Sequence, residues 1–80
     1  MPATDYRARI LDLLQTRGLN KTICPSELLS GEDKQNPALM EQVRASARSL
    51  ASENLIEFTQ HGNVVDPAAA KGPIRLRLKR

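Results

Sequence analysis

PALMEQVRASARSLASENLIEFT, residues 37–59, contains the change in hydrophobic period that decides the fold. Between residues 37 and 53 the apolar positions recur every three or four residues, which predicts an amphipathic helix. After it, apolar and polar residues alternate, so Ile56 and Phe58 share one side of a predicted strand. Asn54 stands between the two patterns, where a helix commonly ends in a left-handed residue. The stretch therefore predicts a helix followed directly by a strand.

The two faces of helix 37–53 differ in chemistry. The apolar face, expected to enter the core, holds Leu39, Met40, Val43, Ala47, Leu50 and Ala51. The opposite face is small or polar and holds Glu41, Gln42, Arg44, Ala45, Arg48, Ser49 and Ser52. Such a face can approach a phosphate backbone or a base edge closely. The helix is therefore a candidate recognition helix.

Two more helices are predicted before it. Thr4 can cap a first helix, with Asp5 near its positive end and apolar residues at helical spacing up to Gly18. Residues 19–23 are too short for an independent element and predict a bend with a brief edge strand. Pro25 then opens a short second helix that stops near residues 30–31, with Cys24, Ser26 and Glu27 as capping residues. A polar turn over residues 31–36 leads to the third helix.

The C-terminal part predicts strands around a loop. His61, Gly62 and Asn63 form a tight-turn signal before a short return strand at residues 64–65. Residues 66–72 predict one capped helical turn closed by a glycine. The last predicted strand is strongly amphipathic, because apolar Ile74, Leu76 and Leu78 alternate with basic Arg75, Arg77 and Lys79.

This order of elements is typical of a winged helix-turn-helix. The predicted fold class is α+β, with three helices followed by a small antiparallel β wing. A three-helix bundle would leave the final strand unexplained, and an RNA-recognition sheet would need surface aromatics that this chain lacks. The expected core contains Leu13, Leu14, Leu28, Met40, Val43, Leu50, Phe58 and Leu76.

Length and composition limit the function. The chain has 80 residues and a net charge of +3, which allows a single domain over residues 1–80 and no separate catalytic module. One cysteine and one histidine exclude an internal disulfide and cannot complete a Cys/His zinc site, so no metal or other cofactor is expected. Without a membrane span or a signal-peptide pattern at the start, we expect a cytoplasmic protein.

Five short segments carry a family resemblance. They are Cys24-Pro25-Ser26-Glu27, Leu39-Met40 with Val43-Arg44, Gln60 with Gly62, Val65-Asp66-Pro67, and Lys71-Gly72-Pro73-Ile74-Arg75-Leu76. Together they resemble a small bacterial family known only as a domain of unknown function. The resemblance covers nearly the whole chain. It implies a compact bacterial domain of winged-helix type, with no established activity to transfer.

The basic residues are concentrated at the C-terminal end, where residues 58–80 carry five Lys or Arg and one Asp, a net charge of +4. A strand spaces alternate side chains close to the phosphate spacing of DNA, so this strand could grip the backbone. The candidate DNA contacts are Gln42, Arg44, Arg48, Ser49, Lys71, Arg75, Arg77 and Lys79. Two ordinary alternatives remain open: a pair between Glu41 and Arg44 on a solvated helix face, and charges that protect an exposed strand edge from aggregation.

The sequence therefore predicts a non-enzymatic module that binds double-stranded DNA, with helix 37–53 in the major groove and the C-terminal strand on phosphates. The alternative is a protein-interaction adaptor whose exposed Leu19, Ile23 or Val64 meets a partner. An enzyme is disfavoured because no second catalytic group is placed beside Cys24, which is expected to be structural. His61 is expected to be an exposed turn residue.

Overall fold

The fold is α+β, with two α-helices and a four-stranded antiparallel sheet, in a computed structural model that describes residues 5–79. The helices are α1 (Tyr6–Arg17) and α2 (Pro37–Ser52). Two 3₁₀ turns, Pro25–Leu28 and Gly31–Gln35, lie between them. The strands are β1 (Thr22–Ile23), β2 (Ile56–Gln60), β3 (Asn63–Val65) and β4 (Arg75–Leu78).

α1 buries one stripe, formed by Tyr6, Ile10 and Leu14. Its N-cap is Asp5, whose Oδ1 accepts a hydrogen bond from the backbone N–H of Ala8 at 3.1 Å. Thr4, the residue predicted to cap this helix, lies outside the described residues. Asp5 takes the position because its carboxylate also suits the positive end of the helix dipole. Gly18 ends the helix as predicted, at φ +100°.

The predicted short second α-helix is a single 3₁₀ turn over Pro25–Leu28, so the prediction of three helices is wrong. Pro25 starts the turn, and Glu27 closes it by accepting a hydrogen bond from the Cys24 backbone N–H at 2.8 Å. The chain becomes extended at Leu29, which lets both Leu28 and Leu29 enter the core. A regular helix continuing through these positions would turn one of them towards solvent. The polar segment after it forms the second, exposed 3₁₀ turn.

α2 begins and ends at recognisable signals. The Asn36 side chain accepts hydrogen bonds from the backbone N–H groups of Ala38 and Leu39, and Pro37 takes the first helical position. At the other end Asn54 has φ +62°, which confirms the predicted left-handed residue. The Leu55 N–H donates to the Leu50 carbonyl at 3.1 Å, the long bond of a Schellman motif. This motif turns the chain from α2 straight into β2.

The strand order in the sheet is β1-β4-β2-β3. A two-residue turn joins β2 to β3, and both His61 (φ +52°) and Gly62 (φ +83°) have the positive φ that hairpin turns of this length favour. The longer segment that follows begins with a turn in which Asp66 Oδ1 accepts from the Ala68 N–H at 3.0 Å. As predicted, this is one capped helical turn, because the Ala70 N–H donates to the Asp66 carbonyl at 2.9 Å. β4 then returns to the middle of the sheet, between β1 and β2.

One core lies between the helices and the inner face of the sheet. Leu14, Leu28, Val43, Leu50, Phe58 and Leu76 are buried as predicted. Leu13 and Met40 are only partly buried at its margin, which corrects their prediction as core residues. The other buried apolar residues of the core are Tyr6, Leu29, Ala47, Ile10, Ile23, Ile56 and Ile74.

Candidate nucleic-acid interface

Arg44 joins α2 to the loop before β4. Its Nη2 donates to the Gly72 carbonyl oxygen at 3.2 Å, and Lys71 is the neighbouring residue in that loop. The Gly72 carbonyl is a neutral acceptor, so this hydrogen bond does not neutralise the positive charge of Arg44. Arg44 and Lys71 therefore form a cationic corner where the helix flank meets the loop.

Arg48 lies one helical turn further along the same flank and forms an ion pair with Glu41. Glu41 therefore pairs with Arg48 rather than with Arg44, which corrects the expected partner. A shallow depression of about 270 Å³ lies beside Arg48, bordered by Ala51 and Ser52 of α2 and by residues 66–68. The loop between β3 and β4 thus runs alongside this flank of the helix from Asp66 to Gly72.

Gln42 and Ser49 lie on the other flank of α2, two turns apart. The Ser49 hydroxyl accepts a hydrogen bond from Arg7 of α1, and Arg7 also pairs with Glu53 at 2.6 Å. The hydrogen bond from Arg7 holds the pKa of Glu53 below its ordinary value. Ser49 therefore already takes part in a contact between the two helices, whereas Gln42 is exposed.

The cations of β4 lie on the outer face of the sheet, the face turned away from the helices. The strand register puts Thr22, Glu57, Thr59, Val64, Arg75 and Arg77 on this face. Arg75 donates to the side chain of Thr22 at 2.5 Å and to its carbonyl at 3.3 Å. Arg77 pairs with Glu57 at 3.1 Å, and the Lys79 ammonium donates to Asn54 Oδ1 at 3.3 Å. Arg80, the last basic residue, lies outside the described residues.

The predicted DNA contacts are therefore divided among three places. Arg44, Arg48 and Lys71 come together beside the β3–β4 loop, while Gln42 and Ser49 occupy the opposite flank of α2. Arg75 and Arg77 are separated from α2 by the core, because Leu76 and Val43 point into that core from opposite layers, whereas Lys79 reaches Asn54 at the end of α2. The sequence could not show this separation, since it depends on which face of β4 meets the helices.

Sequence analysis missed the partners of these cations. The Glu57–Arg77 pair follows from the β2–β4 register, in which the two residues stand directly opposite. Alternation puts Glu57 on the polar side of its strand, but only the register shows which cation it meets. Thr22 was likewise missed, because a two-residue strand carries almost no pattern.

Cys24 and His61 lie on different elements: Cys24 precedes the first 3₁₀ turn, and His61 lies in the turn between β2 and β3. Cys24 is half-buried, and its Sγ accepts from the Ser26 hydroxyl at 3.4 Å. His61 is exposed in the β2–β3 turn.

Among residues 5–79, no group of three or more His, Cys, Asp or Glu side chains could hold a metal ion. Neither described helix has the length and apolar character needed to cross a membrane.

Comparison with known proteins gives a family for this fold and surface. Residues 3–79 match the model of a family described as protein of unknown function, DUF3253. The chain belongs to the DUF3253 family. No curated protein matches it. The function of this DUF3253 domain must therefore be argued from its own surfaces.

Proposed function

We propose that this DUF3253 domain is of winged-helix type and binds double-stranded DNA through α2 and the wing segment, defined as residues 61–74. The order of elements supports this fold. α1, a short strand, a helical turn region and α2 precede two long paired strands, β2 and β4. In a winged helix the segment between those paired strands is the wing.

The observation that carries the proposal is the bond from Arg44 to the Gly72 carbonyl. It joins the outward flank of the candidate recognition helix to the wing segment, so that one duplex could meet both. Arg44, Arg48 and Lys71 would face its phosphates, and the small side chains of Ala45 and Ser52 would let the helix backbone come close.

The outer face of the sheet is left out of this interface. A duplex lying along α2 and the wing segment would have the domain core between itself and Arg75 and Arg77. The proposed interface is therefore smaller than the interface predicted from the sequence, which also included contacts between the C-terminal strand and phosphates.

Salt dependence tests the proposal. If three cations each neutralise a phosphate, log K should fall with log salt at a slope of about −3 between about 50 and 200 mM salt. Fluorescence anisotropy with a labelled duplex of random sequence measures it. Removing one cation by Arg44→Ala or Lys71→Ala should weaken binding and reduce the slope by about 1.

Glu41→Gln is the most discriminating variant. The Glu41 carboxylate pairs with Arg48 and would repel a nearby phosphate, so removing its charge should strengthen duplex binding by about fivefold. Lys21→Gln, in the segment before β1, is the matched control and should leave duplex binding unchanged. Weaker binding by Glu41→Gln, or a flat salt dependence, would contradict the proposal.

A further inference from the structure

A groove begins on the outer face of the sheet and continues round its edge to Ala51 at the end of α2 and to the wing segment. Its larger part is a depression of about 390 Å³ lined by Asn20, Glu57, Arg77 and Lys79. A second depression, of about 140 Å³, shares Glu57 and Lys79 with the first and extends to Val64, Val65 and Pro67, among others. Because two lining residues are common to both, the depressions adjoin.

One end of this groove is cationic. Arg77 and Lys79 line it, and Arg75 stands two residues before Arg77 on the same face of β4. Two carboxylates act on these three cations: Glu57 pairs with Arg77, and Glu27 interacts with the charge of Arg75. Lys79 and Arg75 bond to neutral oxygens of Asn54 and Thr22, so these contacts orient the two cations without neutralising them. A guanidinium carries several N–H donors, and the bond from Arg77 to Glu57 uses one of its terminal nitrogens.

The surroundings of the groove are apolar. Among residues 5–79 the large apolar side chains that remain exposed are Leu19 (60%), Leu55 (42%) and Val64 (55%). Val64 lines the smaller depression, and Leu19 precedes Asn20 at the far end of the larger one. Leu55 is held next to Lys79, because its carbonyl accepts from the Lys79 N–H at 3.1 Å. Val64 and Leu55 therefore border the groove. Ile23, which the sequence also offered as a partner contact, is fully buried and takes no part.

From this combination we infer that the groove docks a segment of another protein in which carboxylate side chains stand next to apolar ones. Charge complementarity favours this acidic segment over a second copy of the chain. A second copy of the chain would bring like charges together if the same face met itself, and such contacts are unfavourable. A nucleic acid would satisfy the cations but leave Leu55 and Val64 in water. A carboxylate of an acidic segment fits between Arg77 and Lys79, and its apolar neighbours would cover Leu55 and Val64.

A defined peptide tests this docking site. The probe is a fluorescent synthetic peptide of alternating glutamate and leucine, and its matched control carries glutamine in place of glutamate. We expect the acidic peptide to bind and the glutamine peptide to bind more weakly. Lys79→Gln and Val64→Ser should each lower the affinity for the acidic peptide by about fivefold. Lys34→Gln, in the exposed second 3₁₀ turn, should not change it.

The controls separate this inference from the DNA proposal. All three substituted side chains are exposed, and thermal unfolding checks that each variant remains folded. Arg44→Ala should weaken duplex binding and leave peptide binding intact, so either proposal can fail alone. Equal binding of the glutamine peptide would overturn the inference. Displacement of the acidic peptide by a single-stranded oligodeoxynucleotide, with Val64→Ser binding both as tightly as the wild type, would show a nucleic-acid site instead.

Discussion

Glu27 connects the first 3₁₀ turn to the end of α1, and its replacement by glutamine tests how that connection stabilises the fold. Oε2 accepts from the Cys24 backbone N–H at 2.8 Å, and Oε1 accepts from Arg17 at 2.5 Å. The carboxylate is about one-third exposed, at 29% of its side-chain surface. Glutamine has nearly the same shape and keeps one oxygen acceptor, so Glu27→Gln removes mainly the charge.

The expected loss at neutral pH is about 1 to 2 kcal/mol. A hydrogen bond to a charged group contributes about 1.5 to 3 kcal/mol, and a neutral amide acceptor keeps about half of that. The exposed pair with Arg17 adds about 0.5 kcal/mol. For a domain of this size, 1 kcal/mol corresponds to about 4 to 8 °C in Tm, so thermal unfolding followed by circular dichroism resolves the change.

The change of this stabilisation with pH follows from the lowered pKa of Glu27. The Cys24 N–H, together with Arg17 and Arg75, holds the pKa of Glu27 below its ordinary value of 4.5. A depressed pKa means that the stabilisation is fully present above the unfolded value near 4.5 and is lost as the pH falls through the folded value. The difference between wild type and Glu27→Gln should therefore shrink below pH 4.5.

The exposed Glu32, in the second 3₁₀ turn, provides the matched control. Glu32→Gln should unfold like the wild type at neutral pH. If Glu27→Gln is as stable as the wild type at neutral pH, or if its deficit is the same at about pH 3, the role given to this carboxylate is wrong.

Substitutions at three further positions test the fold. Leu14→Ala should lower the free energy of unfolding by about 3 kcal/mol, because Leu14 is fully buried; a loss below about 1 kcal/mol in urea denaturation would contradict its place in the core. Asn54→Ala should cost about 1 kcal/mol at φ +62°, while Asn54→Gly should be at least as stable as the wild type; thermal unfolding of the pair compares them. Asp5→Ala should cost about 1 kcal/mol and reduce the helical circular dichroism signal, and an unchanged signal would exclude Asp5 as the cap.

Much of the fold was predictable because its strongest signals are local. The apolar period of α2, its Asn36-Pro37 start and its Asn54 end all lie within one stretch of chain, and the structure confirms them. The His61-Gly62 turn and the alternation of β4 are equally local. Such elements need no knowledge of distant contacts.

The errors occur where tertiary packing decides. Residues 25–30 offered a proline, capping residues and two leucines, which suit either a short helix or a 3₁₀ turn. The outcome depends on burying Leu28 and Leu29 together, which a sequence window does not show. Similarly, the partial burial of Leu13 and Met40 depends on where α1 and α2 meet the rest of the core.

The candidate site was predictable by residue type but not by arrangement. Basic residues on α2 and β4 are evident from the sequence, and the alternation of β4 shows that its cations share one face. Their separation onto opposite sides of the core depends on the sheet order β1-β4-β2-β3 and on its packing against α2. The ion pairs Arg48–Glu41 and Arg77–Glu57 likewise depend on rotamer and register.

The most direct test of the DNA proposal is a map of which backbone amides change their nuclear magnetic resonance shifts when a short duplex is added to isotope-labelled protein. The proposal predicts salt-sensitive changes concentrated in α2 and the wing segment, 61–74, with Arg44 and Lys71 at the centre. Changes concentrated on β4 at residues 75–78, or no changes at low salt, would contradict it.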